Sequence, residues 1–278
     1  MVKTMVPCEG RYLYGVAVSG KMIRLGPIGI DGGEVYSIPY EGLSAIVHDC
    51  PVAPYDSSDE NTVKKWVRTH QGVLDEANKA LGTVIPMGFD TILHSKDAAI
   101  PPDQVVKDWL KEDHKRLQGV LEKIKGRDEY GVQITYAPGL LAKQISDESH
   151  KLRGIREKIA ASSQGTAYMY MQKLEKTIRE EMEKLAGEWF KDFYGRIKCH
   201  CDDIVVEKTK KLDGNKVMLL NLSCLVTREK VTNLGEELEK INNTEGFSVH
   251  FSGPWPPYSF VAKPTIATPD GKVALNSA

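Results

Sequence analysis

Hydrophobic residues occupy every second position from Tyr12 to Val18, and this period of two predicts a strand over residues 11–19. Two further short strands are predicted over 34–38 and 43–48. The chain therefore begins with a group of strands rather than with a helix.

A glycine-rich loop runs from Gly26 to Gly33 between the first two of these strands. A phosphate-binding loop would have to lead from a strand into the N-terminus of a helix. Here the next element is another strand, so the glycines are interpreted as positions that permit tight turns.

The pattern then changes to a helical period. From Val63 to Leu81 apolar residues recur every three or four positions, and Ser57-Ser58-Asp59-Glu60 in front of them has the S-x-x-E form of a capping box. Residues 84–89 are predicted to be extended, and a second helix is predicted over 101–126, ending at its final glycine.

The second half of the chain opens with another alternating segment, residues 130–136, which predicts a strand. The polar stretch 143–163 is predicted to be mobile, and a long helix is predicted over 164–198. Its expected core-facing stripe consists of Tyr168, Met171, Leu174, Ile178, Met182, Leu185, Trp189, Phe193 and Ile197. Oppositely charged side chains four positions apart are expected to pair on its solvated face, namely Glu175 with Arg179 and Glu180 with Lys184.

Three more strands and one helix complete the predicted pattern. Strands are predicted over 204–208 and 217–226, joined through Leu212-Asp213-Gly214-Asn215, because Asp-Gly between strand-like runs favours a hairpin. Thr227 is expected to cap the helix that follows, and the last strand is predicted over 247–252.

The order of elements predicts an α+β protein with two domains. Residues 1–126 form an N-terminal α+β domain, 127–261 a C-terminal domain with a long helix, and 262–278 a tail. The order β-α-β-β-α-β of the second domain is typical of a ferredoxin-like fold, in which helices cover one face of the sheet. Four polar residues are expected on its open face, namely Gln133, Thr135, Asn221 and Ser223.

Charge and composition narrow the classes of function. The 37 Lys and Arg residues almost balance 38 Asp and Glu residues, so no strong field attracts the chain to nucleic acid or to an anionic membrane. The start of the chain lacks the apolar region of a signal peptide, and no stretch has the 18 apolar residues of a membrane span. We therefore expect a cytoplasmic protein whose five cysteines are thiols.

Candidate catalytic and metal-binding residues are few. Cys199-His200-Cys201 has zinc-ligand side chains, but adjacent residues cannot all reach one ion, and no second ligand pair is present in the sequence. His70 lies on or beside the apolar stripe of the first predicted helix, so we interpret it as a packing or hydrogen-bonding residue. The third strand of the second domain lacks the aromatic pattern of an RNA recognition domain. No catalytic residue, metal ligand or cofactor is assigned.

The segment from Gly253 to Phe260 is the most unusual in composition. Its prolines favour an extended backbone that holds Trp255, Tyr258 and Phe260 at low entropic cost. The three aromatic side chains either form an exposed ledge for a partner or fold back onto the core, and folding back is favoured because large aromatics are seldom exposed together.

The same segment resembles the C-terminal signature of the gas vesicle protein L/F family. Further blocks similar to that family occur in the family's order: Tyr12-Leu13-Tyr14-Gly15, Gly42 to Val47, His70, Val84 to Thr91, Glu129 to Val132, Gly165 to Tyr168 and Asn221 to Val226. The resemblance covers roughly residues 11–261, and several blocks in order are more specific than one motif.

Two departures from the family pattern are visible. The usual Leu-Pro-Met-Arg-Phe-Gly-Thr stands here as Ile85-Pro86-Met87-Gly88-Phe89-Asp90-Thr91, and the glutamate usual after the helix histidine is Gln71. An arginine and a glutamate are thus both absent, and a role that needs this charge pair is not expected here.

The resemblance implies a non-enzymatic accessory or minor structural protein of gas vesicles, with two α+β domains, the second ferredoxin-like. It implies contact with the hydrophobic shell protein, gas vesicle protein A, and with other accessory proteins during assembly, with the gas-facing side of the shell as one location. From the sequence, the candidate partner-binding residues are Trp255, Tyr258, Phe260, Gln133 and Thr135.

Two alternatives remain open at this point. One is a small-molecule enzyme or sensor with an interdomain pocket near His70 and the Pro86-Met87 segment, which would need convergent titratable groups. The other is a general protein-interaction scaffold unrelated to gas vesicles.

Overall fold

The computed structural model describes residues 10–95, 97, 99–212 and 214–261. Within this part the chain has two β-sheets and seven α-helices, a mixed α and β structure as predicted. It divides into two compact units, the first comprising residues 10–127 with 255–261 and the second residues 128–254. The predicted tail, 262–278, lies outside the described residues.

The first unit is built on a six-stranded sheet. Its strands are β1 (Gly10–Val18), β2 (Arg24–Gly26), β3 (Val35–Tyr40), β4 (Leu43–Cys50), β5 (Val84–Pro86) and β6 (Ile92–His94). Its helices are α1 (Glu60–Leu81), α2 (Pro102–Glu112) and α3 (His114–Ile124). The strand order is β2-β3-β4-β1-β5, and β6 also pairs with β1. The predicted strands and first helix are confirmed, whereas β2 and β6 were not predicted.

The central strand β1 is irregular at one point. Leu13 pairs with Val47 on β4 and Gly15 with Ile46, so Tyr14 is an extra residue in β1. A bulge shifts the later residues to the other face, which explains why Ala17 packs in the same cluster as Tyr12 and Tyr14.

Two helix ends differ from the sequence prediction. Asp59, not Ser57, is the N-cap of α1, because its carboxylate accepts hydrogen bonds from the backbone N–H groups of Asn61 and Thr62. The single helix predicted over 101–126 is two helices that meet at Asp113, whose φ and ψ are −101° and 7°.

The second unit has a four-stranded sheet. Its strands are β7 (Arg127–Tyr136), β8 (Asp203–Val206), β9 (Val217–Thr227) and β10 (Phe247–Trp255), in the order β10-β7-β9-β8. Its helices are α4 (Pro138–Glu148), α5 (His150–Ala160), α6 (Gln164–Lys198) and α7 (Val231–Asn242). The buried core joins the sheet to α6 and α7 through Val132, Ile134, Leu220, Leu222, Phe193, Ile197, Leu234, Leu238 and Ile241.

Three predictions for this unit are wrong in detail. The stretch 143–163, predicted to be mobile, contains the end of α4 and all of α5, and α5 buries Leu152 and Ile155. Thr227 does not cap a helix with its side chain, since a 3-10 turn separates it from α7. β8 and β9 are antiparallel as predicted, but Val206 pairs with Leu222, so their connection is longer than a tight hairpin. Asp213 of that connection lies outside the described residues.

Candidate partner-binding surfaces

The segment from Gly253 to Phe260 begins inside the last strand, β10, and its path is fixed at Gly253. This residue has a φ of +125°, and a Cβ atom there would lie 2.9 Å from the carbonyl oxygen of Glu129 and from the ring of Tyr130. Only glycine combines this conformation with so close an approach. The glycine therefore sets the direction in which the chain leaves β10.

The three aromatic side chains of this segment have different environments. Phe260 is buried, 5% exposed, and the Lys123 ammonium lies 5.5 Å from its ring centroid. Trp255 and Tyr258 are 52% and 38% exposed. The expectation that the segment folds back onto the core therefore holds for Phe260 and in part for Tyr258, whose pKa is raised by burial, but not for Trp255. Phe260, predicted with them to contact a partner, is the buried member of the three.

The predicted open face of the second sheet is smaller than expected. Gln133 and Thr135 are half-buried, and the Thr135 hydroxyl donates to the backbone oxygen of Ser248 at 3.5 Å. Asn221 and Ser223, predicted on the open face, are buried instead. The Asn221 side-chain amide donates to the Lys208 carbonyl at 2.8 Å, so one donor of this buried amide has a hydrogen-bond partner.

A cluster of buried and half-buried rings lies in the first unit. We call it the histidine cluster, and its members are Tyr12, Tyr14, His48, Tyr55, His70 and Phe89. Most of the sequence blocks that carry the resemblance in the first half of the chain contribute a ring to it. The closest pair, Tyr12 and Tyr14, has ring centroids 4.8 Å apart.

His70 is hydrogen-bonded through both ring nitrogens. Its Nε2 donates to the Met87 carbonyl at 3.1 Å, so in the neutral ring Nδ1 accepts from the Tyr12 hydroxyl at 2.9 Å. The Tyr12 oxygen in turn accepts from the Asp90 backbone N–H at 3.0 Å. The prediction of a hydrogen-bonding histidine is confirmed, and His70 offers no free nitrogen to a substrate.

Burial keeps both histidines of the cluster neutral. Desolvation lowers the pKa of His70 and of His48 to about 4. His48 Nε2 hydrogen-bonds the Tyr55 hydroxyl at 3.1 Å, while its Nδ1 has no hydrogen-bond partner within the described part of the chain. Burial also raises the pKa of Tyr12 and Tyr14. Both histidines are therefore neutral near pH 7, but only His70 has both ring nitrogens hydrogen-bonded.

The glycine-rich loop packs directly on this cluster. A Cβ atom at Gly33 would lie 2.6 Å from the His48 ring, and one at Gly29 would lie 3.0 Å from the Tyr14 hydroxyl oxygen. β2 ends at Gly26, the first residue of the loop, and the loop contains a short 3-10 turn, Ile30–Gly32. Sequence analysis identified the turns but missed the close approach to the rings, since no local pattern indicates which distant residues a glycine contacts.

The departures from the family pattern have a local explanation at one position. Asp90, where the family usually has glycine, adopts a φ of +64°, and aspartate tolerates this left-handed region better than most residues. Its carboxylate also accepts from the Tyr55 backbone N–H at 3.0 Å. At the position of the missing glutamate, the Gln71 amide donates to Asp75 at 3.0 Å. Nothing in the structure explains the loss of the arginine at Gly88.

The Cys199-His200-Cys201 segment forms no metal centre within the described residues. The Cys199 thiol is exposed and donates to the Gly195 carbonyl at 3.3 Å, while Cys201 packs at the edge of the core. Across the described chain no three His, Cys, Asp or Glu side chains are grouped as metal ligands. Cys50 and Cys224 are buried.

The first half of α6 exposes a surface that sequence analysis placed in the core. Tyr168 and Met171 are 59% and 45% exposed, and the buried residues of the helix are Thr177, Phe193 and Ile197. The predicted charge pairs on this helix are also replaced by others. Lys176 pairs with Glu180 at 3.8 Å and Lys184 with Glu188 at 3.8 Å.

Of the helices in the described part, none combines the length and the apolar character needed to cross a bilayer.

The chain is similar to known gas vesicle proteins in both sequence and structure. The sequence model of the family described as gas vesicle synthesis protein GvpL/GvpF matches residues 10–262. Gas vesicle protein L1 of Halobacterium salinarum is 31% identical over 265 residues, covering 91% of this chain and 90% of that protein. Gas vesicle protein L of Haloferax mediterranei is 31% identical over 242 residues, covering 84% and 72%. The crystal structure of GvpF from Anabaena sp. PCC7120 is similar with a TM-score of 0.71 at 19% identity, covering 91% of this chain and 98% of that chain.

Proposed function

This chain belongs to the gas vesicle synthesis protein GvpL/GvpF family, and from that premise we propose that it binds the hydrophobic shell protein and assists gas vesicle assembly. The observation that carries the proposal is the family match over residues 10–262. The family consists of gas vesicle structural and assembly proteins, and we infer that this chain likewise acts without catalysis, in the cytoplasm and together with other gas vesicle proteins.

A physical reason supports a binding role. A shell subunit with a water-repelling face aggregates before assembly unless another surface covers that face. Trp and Tyr suit such a surface, because each can bury a large apolar area in a contact while its indole N–H or hydroxyl group keeps a hydrogen-bond partner. We assign this role to Trp255 and Tyr258, which are exposed next to the buried anchor Phe260.

We propose Gln133 and Thr135 as a second, weaker contact. Both are half-buried polar residues on β7, beside the exposed His250 of β10. Polar groups around an apolar contact provide orientation more than affinity. We therefore expect substitution of Gln133 to weaken binding less than substitution of Trp255.

Co-expression with the shell protein tests the proposal. Size-exclusion chromatography of the soluble fraction is expected to show the two proteins migrating together, and the variant Trp255→Ala with Tyr258→Ala is expected to lose most of the shell protein from that peak. Met22→Ala is the matched control, because Met22 is an apolar residue of the first unit with 55% exposure. Normal co-migration of the double variant would contradict the assigned surface, and absence of co-migration by the full chain would contradict shell binding.

A position at the gas-facing side of the shell is the finer part of this proposal. Intact purified vesicles protect gas-facing proteins from added protease, whereas collapsed vesicles do not. We expect this chain to be digested only after collapse, and digestion in intact vesicles would contradict a gas-facing position.

The alternative of a small-molecule enzyme near His70 has no support. Both His70 ring nitrogens are engaged within the core, and the ring is 3% exposed. A general base must reach the proton it removes.

We also propose that the second domain, 127–261, is ferredoxin-like and that the domain boundary lies at residue 126. The strand order β10-β7-β9-β8 supports this, since numbering these strands along the chain gives 4-1-3-2. The first compact unit ends at Arg127 and the second begins at Asp128, which supports this boundary. Residues 255–261, however, group with the first unit. Limited proteolysis with mass spectrometry is expected to give a first cut near residue 126, and a first cut inside 130–250 would contradict it.

A further inference from the structure

The N-terminal half of α6 carries an apolar stripe that the chain covers only in part, since Met182 and Ala186 pack against the core of the second unit while Tyr168 and Met171 are exposed. Its members follow one another at intervals of three, four or seven positions and so share one face of the helix: Tyr168, Met171, Ile178, Met182 and Ala186. We call this set the α6 stripe. Tyr168 and Met171 are exposed, and the other three are half-buried.

Three residues of the α6 stripe, Ile178, Met182 and Ala186, line one wall of a groove of about 600 Å³, and Tyr168 and Met171 continue the same helix face beyond it. The opposite wall comes from the end of β7 and the start of α4, through Tyr136, Pro138, Gly139 and Ala142. Small residues on this wall leave room for a second helix to approach. Methionine at two positions of the stripe can adapt to the shape of an incoming surface.

Two charged residues stand at the edge of the groove with no ion-pair or hydrogen-bond partner among the described residues. They are Glu175 and Arg179, both exposed and both lining the groove. Their neighbours on the helix are paired, as the 3.8 Å contact of Lys176 with Glu180 shows. Their spacing of four positions would allow them to pair with each other. The structure shows no such ion pair, so each remains available to an outside charge.

We propose that this groove is a self-association surface on which α6 of a second copy packs antiparallel. A two-fold axis at the level of residue 177 places Glu175 opposite Arg179 of the partner subunit, and by symmetry it forms the same pair a second time. The same axis places Tyr168 opposite the partner's Ala186, a large ring against a small side chain. One register thus satisfies two independent features, the charges and the sizes.

The charge pattern favours a second copy in this orientation over the alternatives. A parallel arrangement would set Glu175 against its own equivalent and Arg179 against its own, which is repulsive. From residue 168 to 186 the helix spans about 27 Å, long enough for a contact of the size that supports reversible dimers. This inference concerns only contacts between copies of the chain and does not depend on shell-protein binding.

Charge reversal tests the proposal on the full chain by sedimentation velocity across a range reaching about 200 µM. We expect a reversible dimer for the unmodified chain. Arg179→Glu alone and Glu175→Arg alone are each expected to weaken association about tenfold or more, since like charges then face each other twice. The double variant Glu175→Arg with Arg179→Glu is expected to restore dimerisation, because the swap recreates both pairs.

Lys173→Glu is the matched control, because it reverses a charge on the opposite side of the same helix. It is expected to dimerise like the unmodified chain, and circular dichroism of each variant checks that the helices are retained. A monomer at every concentration would overturn the proposal. So would a dimer that Arg179→Glu leaves unchanged, and failure of the double variant to recover would overturn the antiparallel register.

Discussion

The histidine cluster and the α6 stripe contain similar side chains in opposite environments. Tyr12 and Tyr14 are fully buried, whereas Tyr168 is 59% exposed. The Tyr12 hydroxyl has partners from two distant segments, His70 and Asp90, while the Tyr168 hydroxyl accepts only a bond from Gln172 on its own helix. Long-range polar satisfaction therefore distinguishes an aromatic group that holds the fold from one that is left for a partner.

The same difference separates the residues that make this chain similar to its family from the residues that we propose to bind partners. The blocks around Tyr12, His70 and Met87, which carry much of the resemblance, meet inside one unit and bond to one another. They therefore explain why the chain has this fold. We propose that the exposed groups on the C-terminal segment and on α6 contact other proteins.

Removal of a ring from the histidine cluster is expected to have the largest effect. Tyr12→Ala deletes a fully buried aromatic side chain and should lower the free energy of unfolding by about 4 kcal/mol, measured by urea denaturation. Tyr12→Phe is the control for the hydroxyl group and should cost about 1 to 3 kcal/mol, because His70 and Asp90 each lose a partner. Equal effects of Tyr12→Ala and Tyr168→Ala would remove the distinction between the two regions.

Acid is expected to weaken the same cluster. His48 and His70 have a pKa of about 4 when folded, below the ordinary value of 6.5. Their contribution is therefore fully present above pH 6.5 and is lost as the pH falls from 6.5 toward 4, since the unfolded chain binds the extra protons. Between pH 7 and pH 5 each histidine should account for about 2 kcal/mol.

Urea denaturation at several pH values checks this expectation, with His70→Gln reducing the pH dependence by about half. His250→Gln is the control, because His250 is exposed on β10. A pH dependence that His70→Gln leaves unchanged would show that other groups cause it.

Periodicity explains why much of the fold was predictable from the sequence. The strands β1, β3 and β4 and the helices α1 and α6 each repeat one period long enough to be recognised. The strands β2 and β6 have three residues each and are too short to show alternation. α5 buries only Leu152 and Ile155, so its composition resembles that of a loop.

The candidate surfaces were less predictable for a different reason. A helical period shows which side chains share a face but not what covers that face, and so the outward position of Tyr168 and Met171 could not be derived. The same applies to the segment after β10, where composition did not reveal that Phe260 would be buried and Trp255 exposed.

An added methyl group at Gly33 probes the packing of the cluster more finely. Gly33 has a φ of −58°, which any residue can adopt, so Gly33→Ala tests only the 2.6 Å approach to the buried His48 ring. Overpacking of this kind should lower stability by about 1.5 kcal/mol. Gly72→Ala in α1 is the control, since no atom lies within 4 Å of its Cβ and the helix should gain up to about 1 kcal/mol. A neutral result at Gly33 would indicate that His48 can move.

Substitution in the α6 stripe is expected to have the smallest effect on the free energy of unfolding. Tyr168→Ala removes a ring of the same type as Tyr12→Ala, but the ring is mostly in solvent and bonds only within its helix. Its effect on the free energy of unfolding, measured by urea denaturation at low protein concentration, should stay within about 0.5 kcal/mol. The same substitution should weaken self-association, because Tyr168 is proposed to face the partner's Ala186. A loss above about 2 kcal/mol would show that the α6 stripe holds the fold of the single chain, and the two regions would then no longer differ in kind.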